Sequence, residues 1–372
     1  LRALHIKHPE KEVREELAKG LVNATYRYGE AKRFEEMEAC LKELRALHIK
    51  HPEKEVREEL AKGLVNATNR YGRAKRFEEM EACLKELRAL HIKHPEKEVR
   101  EILASGLVNA TNRYGKAKRF DEMETRLEDL KALHEEHPEK EVRENLAKGL
   151  VNATSEYGEA KRFDEMEACL KELWALHEAY PEKEVREKLA MGLFNATSCY
   201  GRAKRFDEME TRLKDLRALH IKHPEKEVRE NLAKGLVNAT SCYGEAERFD
   251  EMEACLKELR ALHEEHPEEK EVREKLAMGL VNAMACKKPD YKTLLLLYKL
   301  RFDLPDDVNK EKRIEVIEDS FMRATKERIE GIYDENEGEH FEEFLNFLNA
   351  EIEDTELVLL MTEISERLDI RI

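Results

Sequence analysis

Long hydrophobic runs are missing from this 372-residue chain: none exceeds five residues, as at Leu294–Tyr298. A membrane-spanning helix needs about 20 apolar residues, so no membrane partner is expected. Nor does a basic stretch lead into an apolar one at the start, and the sequence is read as having no secretory leader. Proline (9) and glycine (15) are scarce, which argues against the many turns of a β-sandwich or barrel. Basic charge is in deficit: 67 Lys and Arg stand against 82 Asp and Glu, a net of −15. Phosphate backbones are held by a basic footprint, which the chain as a whole does not have, so nucleic acid is disfavoured as a partner. No Gly-rich phosphate loop, G-x-S-x-G elbow or cluster of metal ligands is present, so no catalytic residue, cofactor or metal is expected.

What is there is charge, at 40% of residues, and 41% apolar content. That mixture suits amphipathic helices with wide solvated faces. It is organised by a repeat. The stretch Leu1 to Glu43 recurs almost verbatim from Leu44, Leu87, Leu130, Leu173, Leu216 and Leu259, a period of 43 residues. One residue is inserted in the last copy, at Glu268–Glu269, and the pattern dissolves after Cys286. Seven of the nine prolines (Pro9, Pro52, Pro95, Pro138, Pro181, Pro224 and Pro267) mark one place in each copy.

Each copy reads as two helices. Proline is tolerated where a helix begins, because its missing N–H is an orphan there. Glu10 and Glu12 follow, where the helix dipole favours negative charge. Val13, Leu17, Leu21, Ala24, Tyr28 and Ala31 then form one stripe, predicting a first helix over Glu10–Ala31. Phe34, Met37, Leu41, Leu44 and Leu47 predict a second, ending at His48. The short Lys32–Arg33 link makes the two antiparallel neighbours. Neither pair can bury its stripe alone, and stacking like pairs solves this. The fold class is therefore all-α, an α-solenoid with residues 1–286 as the repeat array. Gly20, Gly63, Gly106, Gly149, Gly192, Gly235 and Gly279 sit inside first helices at a cost of ~1 kcal/mol each, which suggests close backbone approach between helices.

The segment Leu150-Val151-Asn152-Ala153-Thr154, Tyr157-Gly158 and Arg162-Phe163-Asp164-Glu165-Met166 resembles a tetratricopeptide repeat, most of all the long kind found in kinesin light chain. Asn152, Tyr157, Phe163 and Glu165 stand at matching places; Thr154 replaces the usual Gly and Met166 the usual Ala. The resemblance covers residues 1–286. It implies a right-handed superhelix whose concave face holds peptides and assembles complexes. It also implies that one asparagine per first helix lines that groove: Asn23, Asn66, Asn109, Asn152, Asn195, Asn238 and Asn282.

An amide offers donors and an acceptor, so such a row can pair with an extended backbone whatever its side chains; structural bonds within the stack are the alternative use. Residues beside the row differ between copies. Repeats one to three carry Arg27, Arg70, Arg73, Arg113 and Lys116, with Lys19 and Lys62 one turn earlier. Repeats five and six carry Met191, Ser198, Cys199, Ser241 and Cys242. Arginine's planar fork suits carboxylates, so an acidic peptide segment or C-terminal carboxylate is the ligand expected for the first three repeats. A solvated face of mixed charge is the plainer reading.

The recurring H-x-x-H-P, first at His5 and His8, supplies too few ligands for a metal and is read as histidines bonding the last carbonyls of a helix. Cys40, Cys83, Cys169 and Cys255 hold one register, and Cys199, Cys242 and Cys286 another. They read as small apolar filler in a reducing cytosol, hence a cytoplasmic protein. The sequon Asn-Ala-Thr falls mid-helix, where no glycan is expected.

After residue 286 the chain turns acidic: residues 287–372 hold 13 basic and 23 acidic side chains. Helices are predicted from Pro289 through Leu300 and from Asp306 to Tyr333. Two further stripes follow, at Phe341, Phe344, Phe347 and Leu348, and at Leu357–Met361, Ile364 and Leu368. Together they form a helical bundle capping the array. Its acidic face around Asp334–Glu356 serves solubility or docks on the basic N-terminal face. Three functional classes stand open on this reading. They are a noncatalytic protein- or peptide-binding scaffold, a regulatory or oligomerisation module of a larger protein, and a single-strand nucleic-acid reader, the last opposed by the charge.

Overall fold

In the computed structural model, residues 1–8, 10–287, 289–307, 309–334 and 360–364 are described. The array opens with α1 (Arg2–Lys7), α2 (Lys11–Glu30), α3 (Phe34–Lys50), α4 (Lys54–Arg73) and α5 (Phe77–Lys93). It continues with α6 (Lys97–Lys116), α7 (Phe120–Glu136), α8 (Lys140–Glu159), α9 (Phe163–Ala179), α10 (Lys183–Arg202) and α11 (Phe206–Lys222). Then come α12 (Lys226–Glu245), α13 (Phe249–Glu265), α14 (Lys270–Cys286), α15 (Tyr291–Lys299), a 3₁₀ turn at Arg301–Asp303 and α16 (Lys310–Asp334). No strand occurs among the described residues. The chain is an all-α tandem-repeat protein, and its contacts divide it into two compact units, residues 1–231 and 232–372. That division falls inside α12, whereas the repeat itself ends at 286.

Within residues 1–231, each first helix packs on its own second helix and on the next first helix, α2 on α4, α4 on α6, α6 on α8 and α8 on α10. Each second helix also reaches the first helix that follows it, whereas α3, α5, α7, α9 and α11 do not approach one another backbone to backbone. The stripes read from the sequence are the core: Val56, Leu60, Leu64, Ala67 and Tyr71 on α4, and Met80, Cys83, Leu84, Leu87 and Leu90 on α5, are buried. A buried leucine or valine is worth about 1.5–3 kcal/mol, so the stack rests on this burial. Thr68, in the sequon register, is fully buried, and its hydroxyl bonds the Leu64 carbonyl at 2.8 Å. Within residues 232–372, α13 packs on α14, α14 on α15, and α15 on α16. There Tyr298 stacks on Phe321 at 4.5 Å. The Phe341–Leu348 stripe, most of Asp334–Glu356, Leu357–Leu359 and Leu368 lie outside the described residues, and of the fourth stripe only residues 360–364 are seen, as helix.

Proline does not open the first helices. Lys54 begins α4 and Glu53 is its cap residue, which leaves Pro52 one place further out. The cap residue is instead engaged in a contact that spans repeats. Glu53 makes no capping bond with its side chain; its carboxylate accepts instead from Arg14 of the preceding first helix. The same pairing joins Arg57 to Glu96, Arg100 to Glu139, Arg143 to Glu182 and Arg186 to Glu225. Each of these later arginines also donates Nη1 to the proline carbonyl at the start of its own repeat, 3.0 Å for Arg57 and Pro52. The guanidinium is thus a staple that holds two consecutive loops.

The turn from first to second helix has a strained residue. Lys32, Lys75, Lys118, Lys161, Lys204 and Glu247 all have φ between 57° and 60°. Lys75 N–H bonds Gly72 O and Arg76 N–H bonds Tyr71 O at 2.9 Å, the paired bonds of a Schellman ending. Glycine usually holds this position, because a Cβ there costs roughly 1 kcal/mol. Replacing Lys118 by Gly should therefore raise the urea midpoint by the equivalent of about 0.5–1 kcal/mol, part of the gain being lost to the freer unfolded chain. An unchanged or lower midpoint would show that the lysine bears no such strain.

Candidate functional site

The face to be tested lies on the first helices, where nearly identical copies differ from one another. In α4 those positions are Glu59, Lys62, Asn69, Arg70 and Arg73, around the constant Asn66; in α8 they are Asn145, Lys148, Ser155, Glu156 and Glu159, around Asn152. Asn23 is exposed, and Asn66, Asn109, Asn152, Asn195, Asn238 and Asn282 are half-buried. None of the amides is sealed in the seams. Those of Asn23, Asn66, Asn109, Asn152, Asn195 and Asn282 make no side-chain hydrogen bond with another described residue.

The basic residues beside the row divide into accessible and inaccessible ones. Arg27, Arg73 and Lys116 are exposed. Lys19 and Lys62 are already taken by Glu16 and Glu59, one turn earlier on the same helix, at 2.8 and 2.7 Å. Arg70 is only 6% exposed: its stem lies against Gly29, its guanidinium covers the Tyr26 ring at 4.3 Å, and Glu30 sits 3.3 Å away. Arg113 is half-buried against Gly72 and donates to Asn69 Oδ1 at 2.8 Å. Burial pushes its guanidinium pKa down, and Arg73 and Arg70 nearby push the same way. This register is a seam position in later copies as well, where Glu156 lies on Gly115, Cys199 on Gly158 and Cys286 on Gly244. A helical wheel places these residues next to the asparagine and cannot show that the neighbouring repeat covers them.

A second glycine row makes room for the buried methionines of the second helices. A Cβ on Gly158 would come within 2.9 Å of Met166 Sδ, so a small residue on one helix makes room for a large one on its partner. The interior glycines do not mark a close approach of backbones: a Cβ on Gly63 would meet the methyls of Leu44 and Leu41, at 2.9 and 3.3 Å, so leucine tips fill the space.

The histidines do not serve chiefly as caps. The first of one copy meets the second of the next, edge to face, at 6.0 Å for His48 and His94, 5.8 Å for His91 and His137, and 5.9 Å for His177 and His223. The Nδ1 atoms of His48, His91, His134 and His177 are buried without a hydrogen bond. Burial, and next the arginine of the following first helix, push these four imidazoles below their ordinary pKa. The unfolded chain therefore protonates them at a pH where the folded chain resists. Their contribution is complete above about pH 6.5 and is lost as pH falls below it. The melting temperature should drop between about pH 6.5 and 5, above the range in which carboxylates titrate. Replacing the four by Gln should flatten that drop, and a slope unchanged in the variant would remove the histidines as its cause.

Burial pushes the Cys83 and Cys169 thiols up to about 12, far from a reactive thiolate. Among the described residues one trio, His266, Glu268 and Glu269, brings metal-binding atoms within 4.8 Å, at the one-residue insertion. Glu269 holds the register at which Glu53 and Glu96 bridge to arginine.

The fold and this face define an α-helical tandem-repeat protein of the solenoid class. No family model matches the chain, and no curated protein does either. Among solved structures it is similar to an engineered protein from the Northeast Structural Genomics Consortium, at 19% identity and a TM-score of 0.42, over 66% of this chain and 96% of that one. It is also similar to a circular tandem repeat protein with novel repeat topology and enhanced subunit contact surfaces, at 15% identity and a TM-score of 0.38, over 96% and 95%. Likenesses this distant add nothing to the repeat architecture visible in the chain's own helices.

Proposed function

We propose that the chain is a noncatalytic binding scaffold that holds an extended peptide along its first helices. The observation that carries this is the coincidence of sequence variation with access. Around a constant, partly accessible asparagine in each first helix, neighbouring positions differ between copies, as at Asn69, Arg70 and Arg73 of α4 against Ser155, Glu156 and Glu159 of α8. The tight spacing of α2, α4, α6, α8 and α10, against the wider spacing of the second helices, is what the inner side of a curved stack requires. The resemblance to long tetratricopeptide repeats supports the same use. An acidic preference in the first repeats rests on Arg27, Arg73 and Lys116, with Arg113 partly reachable and Arg70 withdrawn into the seam.

The test is selection from a displayed peptide library on the full chain, followed by affinity measurement of the selected sequence. Asn66→Ala/Asn109→Ala/Asn152→Ala should weaken binding at least tenfold with the melting temperature little changed. Arg73→Glu/Lys116→Glu should reverse the charge preference. Retained affinity in the asparagine variant would remove the groove assignment.

A further inference from the structure

Consecutive second helices leave a cleft between them, and the cleft changes where the repeat ends. Between α3 and α5 it is a cavity of about 460 Å³ with Arg45 on its wall. That arginine is closed off by carboxylates, Glu86 of the next second helix at 2.8 Å and Glu38 of its own at 2.6 Å. The same register pairs Arg88 with Asp129 and Lys131 with Glu172. The last cleft, walled by α13, the end of α14 and the start of α15, has a volume of about 560 Å³, and Arg260 holds the register there. It pairs with no described carboxylate. The residue that would bring one, 41 places on and one more for the insertion, is Phe302, beyond the end of α15 and 64% exposed. Glu253, at the register of Glu38, is held by Lys287, which stands where α4 has Tyr71. Arg260 is half-buried; its Nη2 donates to Thr293 Oγ1 at 2.7 Å, and its Nε is buried without a hydrogen bond. Lys257, one turn away on the same wall, is exposed and ion-paired with no described residue.

We propose that this last cleft binds a carboxylate carried on an apolar body, the acid group lying on Arg260 and Lys257. A guanidinium fork suits a carboxylate, and three earlier copies spend the equivalent cation on one. The body has apolar lining to rest on, from Leu256 of α13, Ala283 and Met284 of α14, and Pro289. The volume falls among those of small-ligand sites, about 300–1,000 Å³. The acids of the wall do not oppose such a ligand at Arg260. Glu253 has its lysine, and Asp290 accepts the Thr293 N–H at 2.7 Å. Asp250 precedes Arg260 by ten residues, which is about 15 Å along a helix. None of the asparagines of the first-helix row is among the described residues lining the cleft, so the proposal does not rest on the peptide groove.

Calorimetric titration of the full chain with octanoate tests a free acid, and titration with a short peptide ending in leucine tests the same group on a chain terminus. Octanamide and the amidated peptide are the controls. One acid at least should bind, its amide should not, and whichever binds names the source. Arg260→Gln should weaken that binding by about tenfold or more with the melting temperature little changed. Thr293→Glu returns a carboxylate to Arg260 from within the chain, at a position where Glu also suits the start of α15 behind Asp290. It should abolish binding and raise the melting temperature together, a pairing that misfolding cannot imitate. Binding by neither acid would overturn the proposal, as would undiminished binding in Arg260→Gln or equal binding by the amides. So would inorganic phosphate binding as tightly as the acid, which would make the cleft a site for anions at large.

Discussion

Glu139→Ala should destabilise the array by about 3 kcal/mol, and adding Arg100→Met to it should restore 1–2 of those kcal/mol. The asymmetry follows from where the two groups sit. The Arg100 side chain is 7% exposed and that of Glu139 is 32% exposed. Removing the glutamate leaves a buried guanidinium holding only the Pro95 carbonyl, at 3.2 Å. Removing the arginine leaves a carboxylate that water can reach, so Arg100→Met alone should cost less, about 1–2 kcal/mol from lost bonds and packing. The staple also couples neighbours. In a stack where each repeat touches only the next, one weakened interface lets the two sides unfold separately. Urea unfolding should therefore broaden as well as shift. A double variant no more stable than Glu139→Ala would mean that the buried cation is not the source of the cost.

The second large effect separates two glycines of α8. A Cβ at Gly158 would lie 2.5 Å from Cys199 Sγ, 2.9 Å from Cys199 Cβ and 2.9 Å from Met166 Sδ. The Cys199 Cβ is tied to its backbone, so α10 itself would have to move. At Gly149 the nearest atoms are the Leu130 and Leu127 methyls, at 2.9 and 3.4 Å, and a leucine tip can swing aside. Alanine gains ~1 kcal/mol of helix propensity at either place, and overpacking costs about 1–3 kcal/mol. Gly158→Ala should then lose about 1–2 kcal/mol net, while Gly149→Ala stays within about 0.5 kcal/mol of the parent. Met166→Ala added to Gly158→Ala should not restore stability, because the cysteine Cβ remains. Equal effects at the two glycines, measured by thermal and urea unfolding, would refute this account of the second row.

Much of this architecture is legible in the residue order. The first helix was expected over Glu10–Ala31 and runs Lys11–Glu30; the second was expected from Phe34 and starts there, running on to Lys50. The interior glycines suggested close backbone approach, and what lies against them is leucine tips instead. The asparagine row was legible as a row, and its partial exposure fits the use proposed for it. Less legible was anything joining residues about 40 apart. Arg57 and Glu96 look like two of many surface charges until the stack brings them together. Lys118 carries no sign of its left-handed backbone, since only the two bonds that close the turn impose it. Arg70 and Arg113 looked like groove residues because a wheel shows which way a side chain leaves its own helix and nothing of what stands opposite.

The residue order by itself determined the period, the helices, their buried stripes and the absence of any apolar run long enough to cross a membrane as a helix. All of these follow from local spacing, because hydrophobic periodicity and turn chemistry act within a few residues. The tertiary structure alone decided which charges became staples, which histidines met across copies, and which arginines were left reachable beside the amides. Those outcomes depend on the offset between one helix pair and the next, which is set by packing summed over whole interfaces rather than by any short stretch of chain.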